Sequence, residues 1–504
     1  MSSYLQSLSY FFRLPFHIQW RTCLVHLPRF VPLSVLHLTS PEGPQPFIVA
    51  LPSRKNNIIP LYVFVPPAPV ALESEGGVRI PVENGEWKVP VVLDFHGGGF
   101  IMGSPLEQAP YAAMMARELG AVVISVSYRI GPFHQFPAAI HDAEDVLSAI
   151  LDTDEVTKAS KVLRNEIQRY FGMTVDEITK KKKPNHLDGI KKIKLDPSRL
   201  AISGFSAGGN IALNMAIWVP PCPQLFNPPT TATGRTSSVA RGPSSADTFS
   251  PLLPPVRAPT MLDDICQPWP SILPPEKAQP RMIPLLLFYP SLDARVLPHE
   301  RPMKELPSAL NPDDKKPQIQ RMASIPGLFS IMGPTYLPKK LRAHPRASPG
   351  LVDPHNVQKN AAILLVLPEK DTLAVQSDVW VDKMNTNGWT GPVRFGDGRA
   401  NDWNGHEGNA PPPSRSNGGM EVWHAPECRH GWTQFPVAVL GKHEKEERRK
   451  VFERTLDFVK ENWKQALLIE EAGKTRQELP PLEITPGQAG EGAPVGVGAA
   501  APPS

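Results

Sequence analysis

The chain has 504 residues, 41% apolar and 20% charged, enough for a real core, so wholesale disorder is excluded. Its 53 basic and 49 acidic residues leave a net charge of only +4, which does not indicate a nucleic-acid partner. Its 60 prolines exceed twice the usual share of about 5% and predict substantial loop or disordered segments. Cys23, Cys222, Cys266 and Cys428 lie far apart, form no paired metal spacing and suit a reducing compartment. No uninterrupted apolar run reaches the roughly 18 residues of a spanning helix. An intracellular, cytoplasmic protein is the expectation, with membrane-associated or organellar placement as the alternative.

Residues 1–45 form a distinct N-terminal segment. No acidic residue precedes Glu42, while Arg13, Arg21 and Arg29 interleave with Tyr10, Phe11, Phe12, Phe16, Ile18 and Trp20. Three readings stay open: a cap packed over a pocket, a membrane-surface helix making peripheral contact through residues 1–40, and an organelle-targeting segment. A secretory signal would need a compact apolar stretch followed by small residues, which is missing.

Residues 46–472 read as one catalytic-size domain. Apolar, β-branched runs recur near 89–95, 121–127, 199–203, 283–289 and 361–367. They are continuous rather than alternating, which predicts strands covered on both faces, as in a parallel sheet. Helical patterns follow at 106–119, 138–151 and 210–218, with a long amphipathic one at 444–468. This alternation predicts a doubly wound, mostly parallel α/β sheet with a helical cap. Three insertions interrupt it. Residues 152–195 carry a charged helical stretch and the run Lys180 to Lys183, read as solvated. Residues 220–280 hold 15 prolines in 61 positions. Residues 396–419 are rich in Gly, Asn and Pro. Residues 473–504 form a Pro/Gly/Ala tail expected to be disordered.

Two motifs carry chemistry. Gly204-Phe205-Ser206-Ala207-Gly208 lies between a strand-like and a helix-like stretch. A sharp turn there lifts the serine into an exposed position, and the small Gly204, Ala207 and Gly208 relieve the crowding. The following helix N-terminus favours developing negative charge. His96-Gly97-Gly98-Gly99-Phe100 directly follows a strand. Consecutive glycines let bare backbone N–H groups approach a substrate oxygen, as a serine nucleophile requires. The phosphate-cradling string Gly-x-x-x-x-Gly-Lys-Ser/Thr does not occur.

Together with the stretches 127–142 and 289–293, these motifs resemble the hormone-sensitive-lipase group of α/β-hydrolases, over about residues 90–465. The resemblance implies an α/β-hydrolase fold and a serine esterase with chain order Ser, Asp, His. It places the nucleophile at Ser206, the acid at Asp371 in Leu367-Pro368-Glu369-Lys370-Asp371, and the base at His430 in Arg429-His430-Gly431-Trp432. It assigns the oxyanion hole to the backbone of Gly98, Gly99 and Ala207, with His96, Gly97, Gly204 and Gly208 supporting the motifs. His424, His406, Asp378 and Asp382 are weaker competitors.

The chain departs from the group at Phe205 and Phe133, where acidic residues are usual; both are expected to supply apolar packing near the serine turn. Phe100 and Phe205 are candidates for an apolar acyl pocket. The expected substrates are small-molecule carboxylic esters of short to medium acyl length, or lipid-like esters. No metal or organic cofactor is expected, and the oligomeric state is left open. The alternative is a hydrolase-fold small-molecule receptor without catalysis.

Overall fold

The computed structural model describes residues 9–70, 72–74, 77–79, 82–180, 187, 189–220, 269–273, 282–304, 319–320, 327–398 and 418–478. Its centre is one sheet. The nine strands on its main path are β1 (Phe47–Ser53), β2 (Asn57–Phe64), β3 (Glu86–Phe95), β4 (Val122–Val126), β5 (Lys192–Phe205), β6 (Ile283–Phe288), β7 (Ala361–Lys370), β8 (Val393–Phe395) and β9 (Met420–Arg429). Their spatial order is β1-β2-β4-β3-β5-β6-β7-β9-β8. From β4 to β8 every neighbour is parallel; only β1–β2 and β2–β4 on this path are antiparallel.

The two-residue period of a strand divides the core. Leu285, Leu287, Ile363 and Leu365 pack into one apolar cluster, and Leu286, Phe288, Leu364 and Val366 into another. The first cluster also takes residues from α1 (Phe16–His26), α3 (Ala138–Leu151), α4 (Lys158–Lys180), α5 (Ala207–Met215) and α7 (Ala374–Thr386). The second takes α2 (Ala109–Leu119) and α8 (Lys442–Glu478). Helices cover both faces, so β4 and β6 are buried at every position. That is why their sequences run apolar without alternation.

Several expectations need correction. Between residues 152 and 180 the chain is not a solvated insertion: α4 buries Leu163, Ile167 and Phe171, and its Tyr170 stacks on Phe47 of β1; Lys181 to Lys183 lie outside the described residues. The exposed face of α4 is charged enough to hide that apolar stripe. The expected insertion 152–195 also includes the start of β5, which begins at Lys192. Residues 105–108 form a separate 3-10 turn capped by Ser104, so α2 starts at Ala109. The terminal helix continues to Glu478, past the expected start of a disordered tail at 473. Residues 479–504, 221–268, 274–281 and 399–417 lie outside the described residues, as does His406. Among the described residues no helix is long and apolar enough to cross a membrane.

Asp94 on β3 is fully buried, accepting a hydrogen bond from Ser125 Oγ at 3.0 Å. Burial pushes its carboxyl up to about 7. A folded-state value above the unfolded one means a contribution to stability that is complete in acid and lost as pH rises through about 7. Wild-type protein is therefore expected to lose more thermal stability than Asp94→Asn between about pH 5.5 and about pH 8.5. Melting curves at both pH values check this; equal losses in the two proteins would refute it.

Candidate active site

Ser206 sits between β5 and α5 with φ 54° and ψ −112°. A left-handed φ on a residue other than glycine costs roughly 1–3 kcal/mol, so the surroundings must hold it. Ser206 N donates to Phe288 O at 2.9 Å, and Ser206 O accepts from Ser291 N at 3.1 Å and Asn210 N at 3.2 Å. Immediate helix entry at Ala207, rather than at 210 as the sequence pattern predicts, leaves the first amides of α5 without intrahelical partners.

Beneath the turn, Phe205 is fully buried. Its ring stacks on Phe288 at 4.3 Å and meets Tyr111 edge-on at 5.0 Å. Phe205 is thus apolar support for the serine turn and does not line the cavity, contrary to its assignment to an acyl pocket. Phe133 is elsewhere: it stacks on Phe11 at 5.9 Å and touches His26 of α1. It anchors the N-terminal segment, not the serine turn.

Asp371 follows the last residue of β7 and is buried. His430 follows the last residue of β9. Adjacent parallel strands thereby deliver both side chains to one edge of the sheet. His430 Nδ1 lies 2.7 Å from Asp371 Oδ2, and His430 Nε2 lies 3.0 Å from Ser206 Oγ. Asp371 Oδ1 also accepts from Leu373 N at 2.9 Å. A carboxylate only accepts, so Nδ1 carries the proton and Nε2 is free to accept from the serine hydroxyl. Tyr289 packs edge-on against the imidazole at 4.9 Å. The competing His424 is stacked on Phe395 inside β9, and Asp378 and Asp382 lie on α7.

The glycine segment after β3 reaches the same place. Gly98 has φ +114°, and a Cβ there would meet Met102 O at 2.1 Å, so this position requires glycine. Gly98 O accepts from Ile101 N and Met102 N, both at 3.1 Å, closing the turn. Among the described residues the amides of Gly98 and Gly99 make no backbone bond. His96 supports the segment from behind. It is buried, stacks on Tyr128 at 4.2 Å, and contacts Gly97 O at 2.7 Å. Burial pushes it down to about 3, so it is neutral and unsuited to cation chemistry. Gly97, Gly204 and Gly208 sit where side chains would strike Gln434 or neighbouring backbone.

These groups open onto a cavity of about 230 Å³ lined by Gly99, Phe100, Ser206, Ala207 and His430. The rest of its wall includes Phe329, Tyr336, Arg301 and Arg342, none of which sequence reasoning found. They come from irregular chain and the short helix α6 (Leu328–Tyr336), where no motif or spacing marks them. The described N-terminal residues do not line this cavity. Instead Arg29 donates to Gly103 O and Tyr128 O at 3.1 and 2.8 Å, behind the glycine segment. Among the described residues no His, Cys, Asp and Glu cluster could hold a metal ion.

The parallel sheet, the serine turn and the hydrogen-bonded trio at its edge define a protein of the α/β-hydrolase fold. Residues 92–236, which span both motifs, match a family described as alpha/beta hydrolase fold. Probable carboxylesterase 16 of Arabidopsis thaliana is 31% identical over 28% of this chain and 33% of its own length. Carboxylesterase NlhH of Mycobacterium tuberculosis is 34% identical over 25% of this chain and 29% of its own. The similarity to these curated relatives therefore spans only about a third of their length. The solved structure of EstE1, a thermophilic carboxylesterase cloned from a metagenomic library, aligns over 86% of this chain and 96% of its own. Its identity is 18% and its TM-score 0.42.

Proposed function

We propose that this chain hydrolyses carboxylic esters through an acyl–Ser206 intermediate. The observation that carries the reading is the continuous relay from Ser206 Oγ through His430 to Asp371, at 3.0 and 2.7 Å. His430 Nε2 takes the hydroxyl proton as Oγ attacks the ester carbonyl, and Asp371 orients the imidazole and stabilises its cation. The amides of Gly98, Gly99 and Ala207 hold the negative oxygen of the tetrahedral intermediate. His430 then gives its proton to the departing alcohol, and water repeats the sequence to free the acid and restore Ser206. The relatives named carboxylesterases support the reaction class. A cavity of about 230 Å³ is small beside the roughly 300–1,000 Å³ of drug-sized sites, which favours short to medium acyl groups.

A serine-directed phosphonate probe tests the reading. Covalent labelling of wild type but not of Ser206→Ala is expected. An unlabelled wild type that binds small ligands tightly would instead favour a receptor on the same fold.

One surface favours a second element, contact with an anionic lipid bilayer. Ile18, Thr22 and Val25 seat one face of α1 in the protein. The opposite face is apolar too: Phe16, Trp20 and Leu24, at four-residue spacing, are 79%, 45% and 51% exposed. Phe12, Leu27, Phe30 and Leu38 of the same N-terminal segment are exposed as well, an accumulation of bare apolar side chains that singly would need no explanation. Arg13 and Arg21 lie beside it, and no acidic residue occurs before Glu42, the charge pattern that suits anionic headgroups. The triple variant Phe16→Ser/Trp20→Ser/Leu24→Ser is expected to reduce co-sedimentation with phosphatidylserine vesicles at least about five-fold. Unchanged sedimentation would remove this element and leave the chemistry intact.

A further inference from the structure

We infer that the cavity takes an ester bearing a second, ionised carboxylate, held by the guanidinium groups of Arg301 and Arg342. The inference rests on the esterase reading for its reaction but on the cavity wall for its ligand. Both arginines line the space shared by Ser206 and His430, in a wall that is otherwise mainly apolar or aromatic. Arg342 is 8% exposed, and Arg301 Nε is closed off from water without any hydrogen-bond partner. A buried cation without a counter-charge is costly, and such a group in a native protein calls for an explanation.

Among the described residues the carboxylates that attract the two cations are Asp371 and Asp293 for Arg301 and Glu300 for Arg342, and each is bonded to another group. Asp371 is engaged by His430 and Leu373 N. Asp293 is engaged by Arg295 through three bonds of 2.7–3.0 Å. The Glu300 carboxylate accepts from Leu297 N at 3.0 Å. Among the described residues no ion pair reaches either guanidinium. Arg346, also buried, shows what a structural arginine looks like in this protein. It donates to Asn214 O, Trp269 O and Pro270 O and lies over the Trp269 ring at 4.8 Å. Among the described residues Arg301 and Arg342 have no such carbonyl acceptors. Burial lowers both guanidinium groups, Arg301 to about 10, so both remain cations at neutral pH.

A planar guanidinium fork matches a carboxylate with two parallel N–H···O bonds. The ligand class that places one carboxylate there and a scissile carbonyl at Ser206 is the half-ester of a dicarboxylic acid. The cavity admits the acyl chain while the two arginines neutralise its far end. A neutral ester of equal length leaves them unpaired, which is the stronger basis for discrimination.

The test compares monoethyl adipate with the neutral diethyl adipate. Calorimetry on full-length Ser206→Ala is expected to show at least ten-fold tighter binding of the half-ester, a difference of about 1.4 kcal/mol. In wild type the ratio of kcat/KM values should favour the half-ester, through KM. Adding Arg301→Gln and Arg342→Gln should lower that ratio at least ten-fold, while Arg301→Lys should retain part of it. Equal binding of the two esters by Ser206→Ala would overturn the inference without recourse to any arginine variant. So would a double variant that loses kcat equally on both esters, since that would mean the arginines act on the Asp371–His430 pair. Should wild type cleave neither ester while Ser206→Ala still prefers the half-ester, the ligand inference stands and the esterase reading falls.

Discussion

His430→Ala is expected to lower kcat on a short-chain ester by about 10⁶-fold, and Asp371→Asn by about 10⁴-fold. The first removes the base 3.0 Å from Ser206 Oγ, leaving a serine hydroxyl of ordinary nucleophilicity. The second keeps the side-chain shape and the bond from Leu373 N to Oδ1, but an amide at the Oδ2 position offers the imidazole an N–H. Nδ1 must then accept, Nε2 carries the proton, and the ring can no longer take one from serine. Because the three groups act as one unit, Ser206→Ala/His430→Ala should be no slower than the worse single variant. Steady-state kinetics on wild type, His430→Ala, Asp371→Asn, Ser206→Ala and the double variant check this. A His430→Ala enzyme within ten-fold of wild type would mean that another group serves as base, and the proposed mechanism would fail.

The parts of this site that sequence disclosed are those where local geometry restricts residue choice. A serine at φ 54° between a buried strand and a helix needs small neighbours, so Gly204, Ala207 and Gly208 announce the turn. Gly98 is legible for the same reason, since its φ of +114° and the nearby Met102 carbonyl admit no side chain. Asp371 and His430 became visible through short motifs at strand ends, although 59 residues of chain separate them. The central strands were legible because helices on both faces leave their sequences mostly apolar, with a few buried polar residues such as Asp94 and Ser125.

Other parts leave no such trace. β1 and β2 contain Pro52 and Pro60 and bury only alternate residues over much of their length, so their sequences do not resemble the buried central strands. The apolar stripe of α4 is diluted by charges on its outer face. Arg301, Arg342, Phe329 and Tyr336 meet at the cavity only because irregular chain between β6 and β7 folds back over the serine turn. Nothing in the spacing of those residues reports that return. Phe133 and Phe205 were both expected beneath the serine; only the strand position of Phe205, two residues from the serine's small neighbour Ala207, constrains it to that place.

Gly208→Ala is expected to destabilise the protein by more than about 3 kcal/mol. A Cβ at this position would lie 2.0 Å from Phe95 O and 2.6 Å from His96 O. Both obstacles are backbone, so no rotamer change can relieve the overlap. The remaining response is to part α5 from the end of β3, which disturbs the serine turn and the glycine segment at once. At roughly 2–4 °C per kcal/mol for a large domain, the melting temperature should fall by about 10 °C, and phosphonate labelling of Ser206 should fall with it. Gly172 on α4 provides the contrast. A Cβ there meets nothing within 4 Å, so Gly172→Ala should gain up to about 1 kcal/mol from helix propensity alone. Calorimetric melts of the two variants separate the effects of steric contact and backbone entropy. If Gly208→Ala melted within about 2 °C of wild type, α5 would not approach β3 this closely, and the position of Ser206 above the glycine segment would need another cause.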